Sequence, residues 1–556
     1  MVKVLQEQPV KNRNFFLGDD TLALILRQNL PTSFHRYAEE ALKNFGERVA
    51  TDIDVRAAYT DREGRPKLVV YDKFGEEISE VWTNEGYQAT VKETYDTGIV
   101  GYLHKNIPEL GHRGNYMYSF AQGYLLSQAE PGFYCPVTLS MATGFLLEHY
   151  ASEELKQRFL VPVSSTGEGV HFEGATFLTE RQGGSDVGAN VVEAIFDQGN
   201  YRLYGEKYFA SNAGMAGVAM VLARMKGAEK GSRGLTLFAV PWRKKDGTLN
   251  NLRIRKLKDK LGVIAVPSGE VEFNGAEAFV VGDASKGFYY MMEALNLSRV
   301  CNAIASLGIM RRAFVEAREY ASLRHAFGKK LTDFPMVKDS LGKMAAVLHV
   351  EVATTFDFIK QYDKIIDGAT PQELLLNRLN IAILKKETAD QAIHFAHEAI
   401  EMHGGNGYME EFVTSRLLRD AQVLPVWEGT ANILGLEIVR LVKKHAAHEL
   451  FITFLSRRLD QLQTDSLQTI VVDQLAILEE QLHLYASLSE EMLTFEAKAM
   501  AKKMALLYEA VVAVEWAQQY GGRYEKLAQV YIEERFNLRK LGDDMTTVRY
   551  FDDLIQ

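Results

Sequence analysis

Cysteine is nearly missing from this chain. Cys135 and Cys301 are the only two in 556 residues, which excludes a disulfide framework and a cysteine-rich zinc site. That scarcity predicts a reducing, cytoplasmic setting. Also missing is any uninterrupted apolar run long enough to span a bilayer. The opening "MVKVLQEQPVKNRNFF" has no apolar core of the kind a secretory signal needs. Glu7, Asp19 and Asp20 fit a mitochondrial presequence poorly. Positive charge is in short supply. A net charge of −10 excludes a surface built throughout for nucleic acid, while leaving room for a local basic patch. There is no GxGxxG fingerprint, no internal repeat and no low-complexity tract, so a dinucleotide-binding βαβ unit and a solenoid are both set aside.

What is present is an ordinary globular composition, 47% hydrophobic and 24% charged, with length for about three or four structural units. Residues 20–50 and 84–162 carry helical spacing, with strand-like interludes at "KLVVYD" and "SEVWT". Ser152 followed by Glu153 and Glu154 marks a helix start. From 171 to 282 the texture changes to short β-rich runs between Gly, Asn and Asp turns, which predicts a compact antiparallel β domain. The helical period then returns, through a long helix after Gly287 and further helices near 335–365, 371–403 and 430–447. Residues 448–556 are again helical. The expected fold class is mainly α with a central β domain. Its parts are an N-terminal extension and helical domain (1–170), a middle β domain (171–282), a four-helix-type domain (283–447) and an additional helical domain (448–556).

Several stretches hold residues suited to chemistry. In "VLPVWEGTANIL", 423–434, a single carboxylate, Glu428, stands in an apolar run. Desolvation would raise its pKa toward the range of a general base, while a charge at a helix start capped by Thr430 or Asn432 explains it equally simply. "FLTERQGGSDVGAN", 177–190, ends a β run on paired glycines that let a backbone approach a ligand closely. "GEKYFASNAG" offers an aromatic, Phe209, beside a hydroxyl, Ser211. "SLRHAFGKKL" ends a helix with Arg324, His325, Lys329 and Lys330, which suit the helix dipole or a pyrophosphate. "EMHGGNGY" ends another on Gly404 and Gly405, one more glycine than a C-cap needs. His394, His397 and Glu398 match no zinc spacing, and no metal is expected.

Taken together, "LTERQGGSDV", "GEKYFASNAG", "KLKDKLGVIAVPSGEVEFNGAEAF", "SLRHAFGKKL", "EMHGGNGY", "RLLRDAQV" and "VWEGTANIL" follow the order and spacing of the acyl-CoA dehydrogenase family. The resemblance covers residues 84–447 and is closest to the AidB-like branch of large members. Trp427, Glu401 and Pro335 point to that branch, as does "NFFLGDDTLALIL". It implies FAD as cofactor and an acyl-CoA thioester as substrate, oxidised to the trans-2-enoyl-CoA with electrons passed to an electron-transfer flavoprotein. Glu428 matches the family's base. Leu178, Thr179, Gly184, Ser185, Phe209, Ser211, Thr430 and Asn432 match flavin-contacting positions. Arg324, Phe327, Glu401, Gly404 and Gly405 match positions that reach a neighbouring subunit's FAD, which implies a homotetramer or homodimer. Ser185, Arg299 and Gly429 match substrate-side positions. Arg181 and Gln182 replace the family's Pro-Gly, and Asn296 stands where many members carry Asp.

Two other functions share these motifs: an AidB-like protective flavoprotein associated with DNA, and a flavoprotein that sequesters acyl-CoA with little turnover. The first needs a basic C-terminal face, yet residues 441–556 carry 13 Lys and Arg against 18 Asp and Glu, a net of −5. "RIRKLKDK", 253–260, is a candidate basic strip, read in preference as a solvated loop or a stretch facing CoA phosphates. Binding to duplex DNA is therefore expected to be weak and steeply salt-sensitive. Fluorescence anisotropy over a salt series checks this, and submicromolar affinity at physiological salt would favour the protective role.

Overall fold

The computed structural model describes residues 13–366 and 368–556, so the first twelve residues of the stretch read for targeting signals lie outside it. Among the described residues no helix is long and apolar enough to cross a membrane. The chain forms two compact units, one from the residues up to His35 with Asn302–Gln556, the other from Arg36–Cys301.

Helices dominate the first unit. Pro335–Ile366, Pro371–His403 and Ala431–His445 coincide closely with the spans read from apolar spacing. Local chemistry sets the start of the second. Thr370 Oγ1 accepts from Glu373 N while the Glu373 carboxylate accepts from Thr370 N, and Pro371 takes the first helical position, where its missing N–H costs nothing. Ala446 adopts a left-handed conformation, φ +48°, between Ala431–His445 and Ala447–Leu459. The long helix Glu490–Tyr520 packs against Pro335–Ile366, Pro371–His403 and Ala431–His445. A largely buried guanidinium joins three helices. Arg458 donates to Asp357 Oδ2 at 2.7 Å and to Glu515 Oε1 at 2.7 Å, while Tyr508 Oη donates to Asp357 Oδ2 at 2.8 Å.

The second unit holds the sheet. A small hairpin, β1 Lys67–Tyr71 with β2 Glu77–Trp82, stands where the strand-like interludes were read. Helices Glu85–Tyr95, Tyr116–Leu126 and Pro131–Tyr150 follow. The Asn84 and Asn115 side chains cap the first two by accepting from Tyr87 N and Tyr118 N. Every residue of Tyr116–Leu126 is buried, and its polar Gln122 and Ser119 are accommodated by donating to the Thr97 and Ile99 carbonyls. Ser152 caps the next helical turn, as its sequence setting suggested, by accepting from Leu155 N.

Seven strands make the sheet: β3 Glu173–Phe177, β4 Glu193–Asp197, β5 Asn200–Ser211, β6 Ala216–Met225, β7 Leu235–Pro241, β8 Leu252–Leu257 and β9 Ser268–Val280. Their order is β8-β9-β5-β4-β6-β3, with β7 pairing both β9 and β6. Most pairs are antiparallel as expected. The exceptions are β3 with β6 and β4 with β6, which are parallel. Gln198 and Gly199, both with positive φ, turn β4 into β5 over two residues. By contrast β3 and β4 run in the same direction, so the chain needs a long crossover between them, and residues 178–192 supply it. The loop with the "TERQGGSDV" motif is long for that topological reason. The core between strands is aliphatic and aromatic, and all seven residues of β7 are buried.

The helix Pro131–Tyr150 rides directly on β3. A Cβ at Gly174 would meet Thr143 Oγ1 at 2.4 Å and Ser140 Cα at 3.0 Å, so glycine is required for this approach. Ser140 Oγ accepts from Gly174 N at 2.9 Å across the contact. One carboxylate is sealed there. Glu173 accepts from Asn212 Nδ2 at 3.3 Å and Tyr95 Oη at 3.4 Å, and burial pushes its pKa from 4.5 up to about 7. Below pH 4.5 folded and unfolded chains both hold this proton. As pH rises toward 7 the unfolded chain releases it first, so this group's contribution to stability is lost through that window. Glu173→Gln should therefore stabilise the protein by about 2–3 kcal/mol at pH 8 and change nothing at pH 4.5. Urea denaturation of the variant at the two pH values checks this.

Candidate active site

The crossover loop 178–192 is tied down at its base and open at its tip. Lys207, on β5, is fully buried, and its Nζ donates to Glu180 Oε1 at 2.8 Å and to the Leu178 carbonyl at 3.1 Å. Burial lowers the Lys207 pKa to about 8, against the pull of the Glu180 charge. Glu180 also accepts from Val191 N at 2.7 Å and Val192 N at 3.2 Å, so one carboxylate gathers both ends of the loop. Asn190 Nδ2 donates to the Leu178 carbonyl at 2.7 Å. Of the residues replacing Pro-Gly, Gln182 donates to Asn190 Oδ1 at 2.9 Å and Arg181 pairs with Glu206 at 2.9 Å.

Gly184 and Ser185 are exposed at the loop tip. A Cβ at Gly184 would lie 2.6 Å from Thr179 Oγ1, so the glycine lets the tip fold against that hydroxyl. Tyr208 N donates to the Thr179 carbonyl at 2.9 Å, which sets the loop beside Phe209 and Ser211 on β5. Phe209 is 57% exposed, and Ser211 Oγ lies 3.1 Å from Ser268 Oγ. Thus Leu178, Thr179, Gly184, Ser185, Phe209 and Ser211 converge on one region of the Arg36–Cys301 unit. In the same unit Arg299, on helix Gly287–Leu323, donates to Asn296 Oδ1 at 2.9 Å.

The other unit carries the remaining residues. Arg324 and Phe327 occupy a tight hairpin at the end of Gly287–Leu323, where Phe327 has φ +50° and is 95% exposed. Tyr320, one turn before, stacks on His403 at 4.1 Å and accepts from Asn406 Nδ2 at 3.1 Å. This brings the hairpin's base to the corner at Gly404 and Gly405. Gly404 has φ +60°, and neither glycine has any atom within 4 Å of where a Cβ would stand. Glu401 is exposed, with His397 Nε2 at 3.4 Å one turn earlier as its cationic partner when protonated. His397, Glu398 and Glu401 present ligand atoms within 4.8 Å of one another on this exposed helix end.

Glu428 sits at the sharpest bend. Its φ is +57° and that of Gly429 is +103°, so a non-glycine residue holds a left-handed conformation costing about 1–2 kcal/mol. It is half-buried. Thr430 is the N-cap of Ala431–His445, yet its side chain makes no capping hydrogen bond. The capping explanation of "EGT" thus loses its hydroxyl. The Trp427 indole N–H is buried without a hydrogen-bond partner among the described residues.

These features fit FAD and a thioester by their chemistry. Exposed flat aromatics at Phe209 and Phe327 suit ring contacts. The open glycine corner at 404–405 admits close approach of a ligand's backbone-bonded groups, and Arg324 suits a diphosphate. A buried orphan donor at Trp427 and an unused hydroxyl at Thr430 flank the carboxylate. Taken unit by unit, these residues are of the kind a flavin-dependent oxidoreductase uses.

Comparison with known proteins makes that class specific. Residues 6–166 match the adaptive response protein AidB N-terminal domain, 175–276 the acyl-CoA dehydrogenase middle domain and 285–442 the acyl-CoA dehydrogenase C-terminal domain. Acyl-CoA dehydrogenase family member 11 of Caenorhabditis elegans is 30% identical over 438 residues, 77% of this chain and 70% of that protein. Putative acyl-CoA dehydrogenase AidB of Escherichia coli K12 is 29% identical over 79% of this chain and 80% of its own. The crystal structure of C. elegans ACDH-11 in complex with C11-CoA superposes with a TM-score of 0.87 at 26% identity, covering 96% of this chain and 93% of that one. The chain belongs to the acyl-CoA dehydrogenase family, as an AidB-like member whose cofactor is FAD.

Sequence reasoning passed over Lys207 and Glu180. The sequence carries no mark of their burial, because buried and exposed residues do not alternate along β5 and Glu180 lies in the loop beyond β3. Lys207→Met should leave Glu180 buried and unpaired, costing about 3–5 kcal/mol and loosening the loop, with FAD content on purification falling below half. Lys207→Met combined with Glu180→Gln should recover part of the stability. Flavin absorbance per chain and urea midpoints of both variants check this.

Proposed function

We propose that this protein is an acyl-CoA dehydrogenase in the strict sense, converting a saturated acyl-CoA to its trans-2-enoyl-CoA. The observation that carries the reading is the left-handed Glu428, a strained carboxylate beside Trp427 and Gly429 in an apolar segment. Strain of this kind persists where the surrounding structure over-determines it, as at functional sites. FAD, when bound, supplies the acceptor for the β-hydride. Glu428 takes the α proton on its carboxylate.

The remaining roles follow the family pattern. Leu178, Thr179, Gly184, Ser185, Phe209, Ser211, Thr430 and Asn432 contact FAD, while Ser185, Arg299 and Gly429 face the acyl-CoA. Arg324, Phe327, Glu401, Gly404 and Gly405 complete the FAD site of a second subunit, which makes the protein a homodimer or homotetramer. Phe327 is 95% exposed in the single chain, as a side chain that packs on a second subunit would be. The electron acceptor is an electron-transfer flavoprotein. The division at residues 170, 282 and 447 belongs to this reading, with 448–556 as an accessory helical region.

Glu428→Gln is nearly isosteric and should retain fold, FAD and acyl-CoA binding. Flavin reduction by a saturated acyl-CoA that bleaches the wild type should slow by about 10²–10⁴-fold. Anaerobic stopped-flow absorbance measures it, and a variant within tenfold of wild type would remove Glu428 from the role of base.

A further inference from the structure

The left-handed turn at Glu428 has a buried cation behind it. Lys385 lies in the middle of helix Pro371–His403 and is 1% exposed. Its Nζ donates to the Trp427 carbonyl at 3.0 Å and to the Gly429 carbonyl at 2.8 Å. These two acceptors belong to the residues on either side of Glu428. Turning both carbonyls toward one point fixes the peptide plane before Glu428 and the one after Gly429, and so closes the bend between them. Glu428, between the two anchored carbonyls, has φ +57° and Gly429 has φ +103°. An ammonium suits this task, because a compact charge with three rotatable donors can meet two carbonyls from different directions, where a planar guanidinium imposes its own geometry. A lysine that merely satisfied itself would need only oxygens somewhere near its end. Here the oxygens straddle the strained residue.

The geometry points to Lys385 as a positioning residue: its ammonium holds the 427–429 turn in the conformation that presents the Glu428 carboxylate. This rests on the reading of Glu428 as the proton acceptor. Lys385 exchanges no proton with substrate. It acts through the backbone.

A double-mutant cycle on the FAD-loaded protein tests this, with single-turnover flavin reduction by saturating octanoyl- to palmitoyl-CoA as the readout. Lys385→Met should slow reduction about 10–100-fold, the scale set by misplacing a reacting group by about an ångström. FAD content and acyl-CoA affinity should stay within threefold of wild type. On the Glu428→Gln background, Lys385→Met should add less than threefold. Should the Met variant fail to fold, Lys385→Gln, which retains two N–H donors on a shorter stem, should fold and show the same non-additivity with a smaller loss. A Lys385→Met rate within threefold of wild type overturns the inference. So does a full loss repeated on the Glu428→Gln background, which would leave the base intact and place Lys385 elsewhere in the mechanism. A Glu428→Gln protein that reduces within tenfold of wild type overturns the base and the positioning role together.

Discussion

An ammonium group removed from water must be surrounded by oxygen, and two buried lysines meet that demand at decisive places. Lys207 draws in Glu180 and the Leu178 carbonyl, and Glu180 in turn collects two amides from the far end of the 178–192 crossover. Lys385 draws in two carbonyls from the turn around Glu428. Each lies in its own compact unit, and each adds a buried restraint to a segment outside regular secondary structure. Leaving either cation unpaired in the interior costs several kcal/mol, more than a loop gains from moving, so the loops stay where the lysines put them.

Rigid bases let the tips be exposed and unusual. Gly184 folds against Thr179 where a methyl group would not fit, and Glu428 holds a conformation ordinarily left to glycine. Neither feature favours stability. Both lie within a few residues of the anchoring ion pair and carbonyl contacts. The C-terminal helices fit the same account. Arg458 links Ala447–Leu459 to Pro335–Ile366 and Glu490–Tyr520, so the last hundred residues brace the helices that carry the Glu428 turn.

Much of this was legible from local chemistry. The Ser152 start, the texture change near 171 and the helix near 371–403 are short-range signals, and the structure has elements where they fall. The parallel pairing of β3 and β4 with β6 was not legible, because a β-rich run carries no mark of its direction. Likewise Thr430 reads as a cap in sequence, and only the side chain's actual rotamer shows that no capping bond forms. The carboxylate at 401 found its partner, His397, at a spacing of four residues, which helical geometry alone suffices to suggest.

By itself, then, the sequence determined what depends on neighbours along the chain: helix spans, caps, the change from helical to β texture and the motif set that marks an acyl-CoA dehydrogenase. Tertiary structure decided what depends on residues far apart. It placed Lys207 against Glu180 across 27 positions and Lys385 against the carbonyls of Trp427 and Gly429 across 42 and 44. It also decided that Glu428 would be left-handed. The reason is physical. A backbone dihedral at one non-glycine residue is set by a balance of about 1–2 kcal/mol, and here contacts from a distant helix decide that balance rather than the residue's own preference.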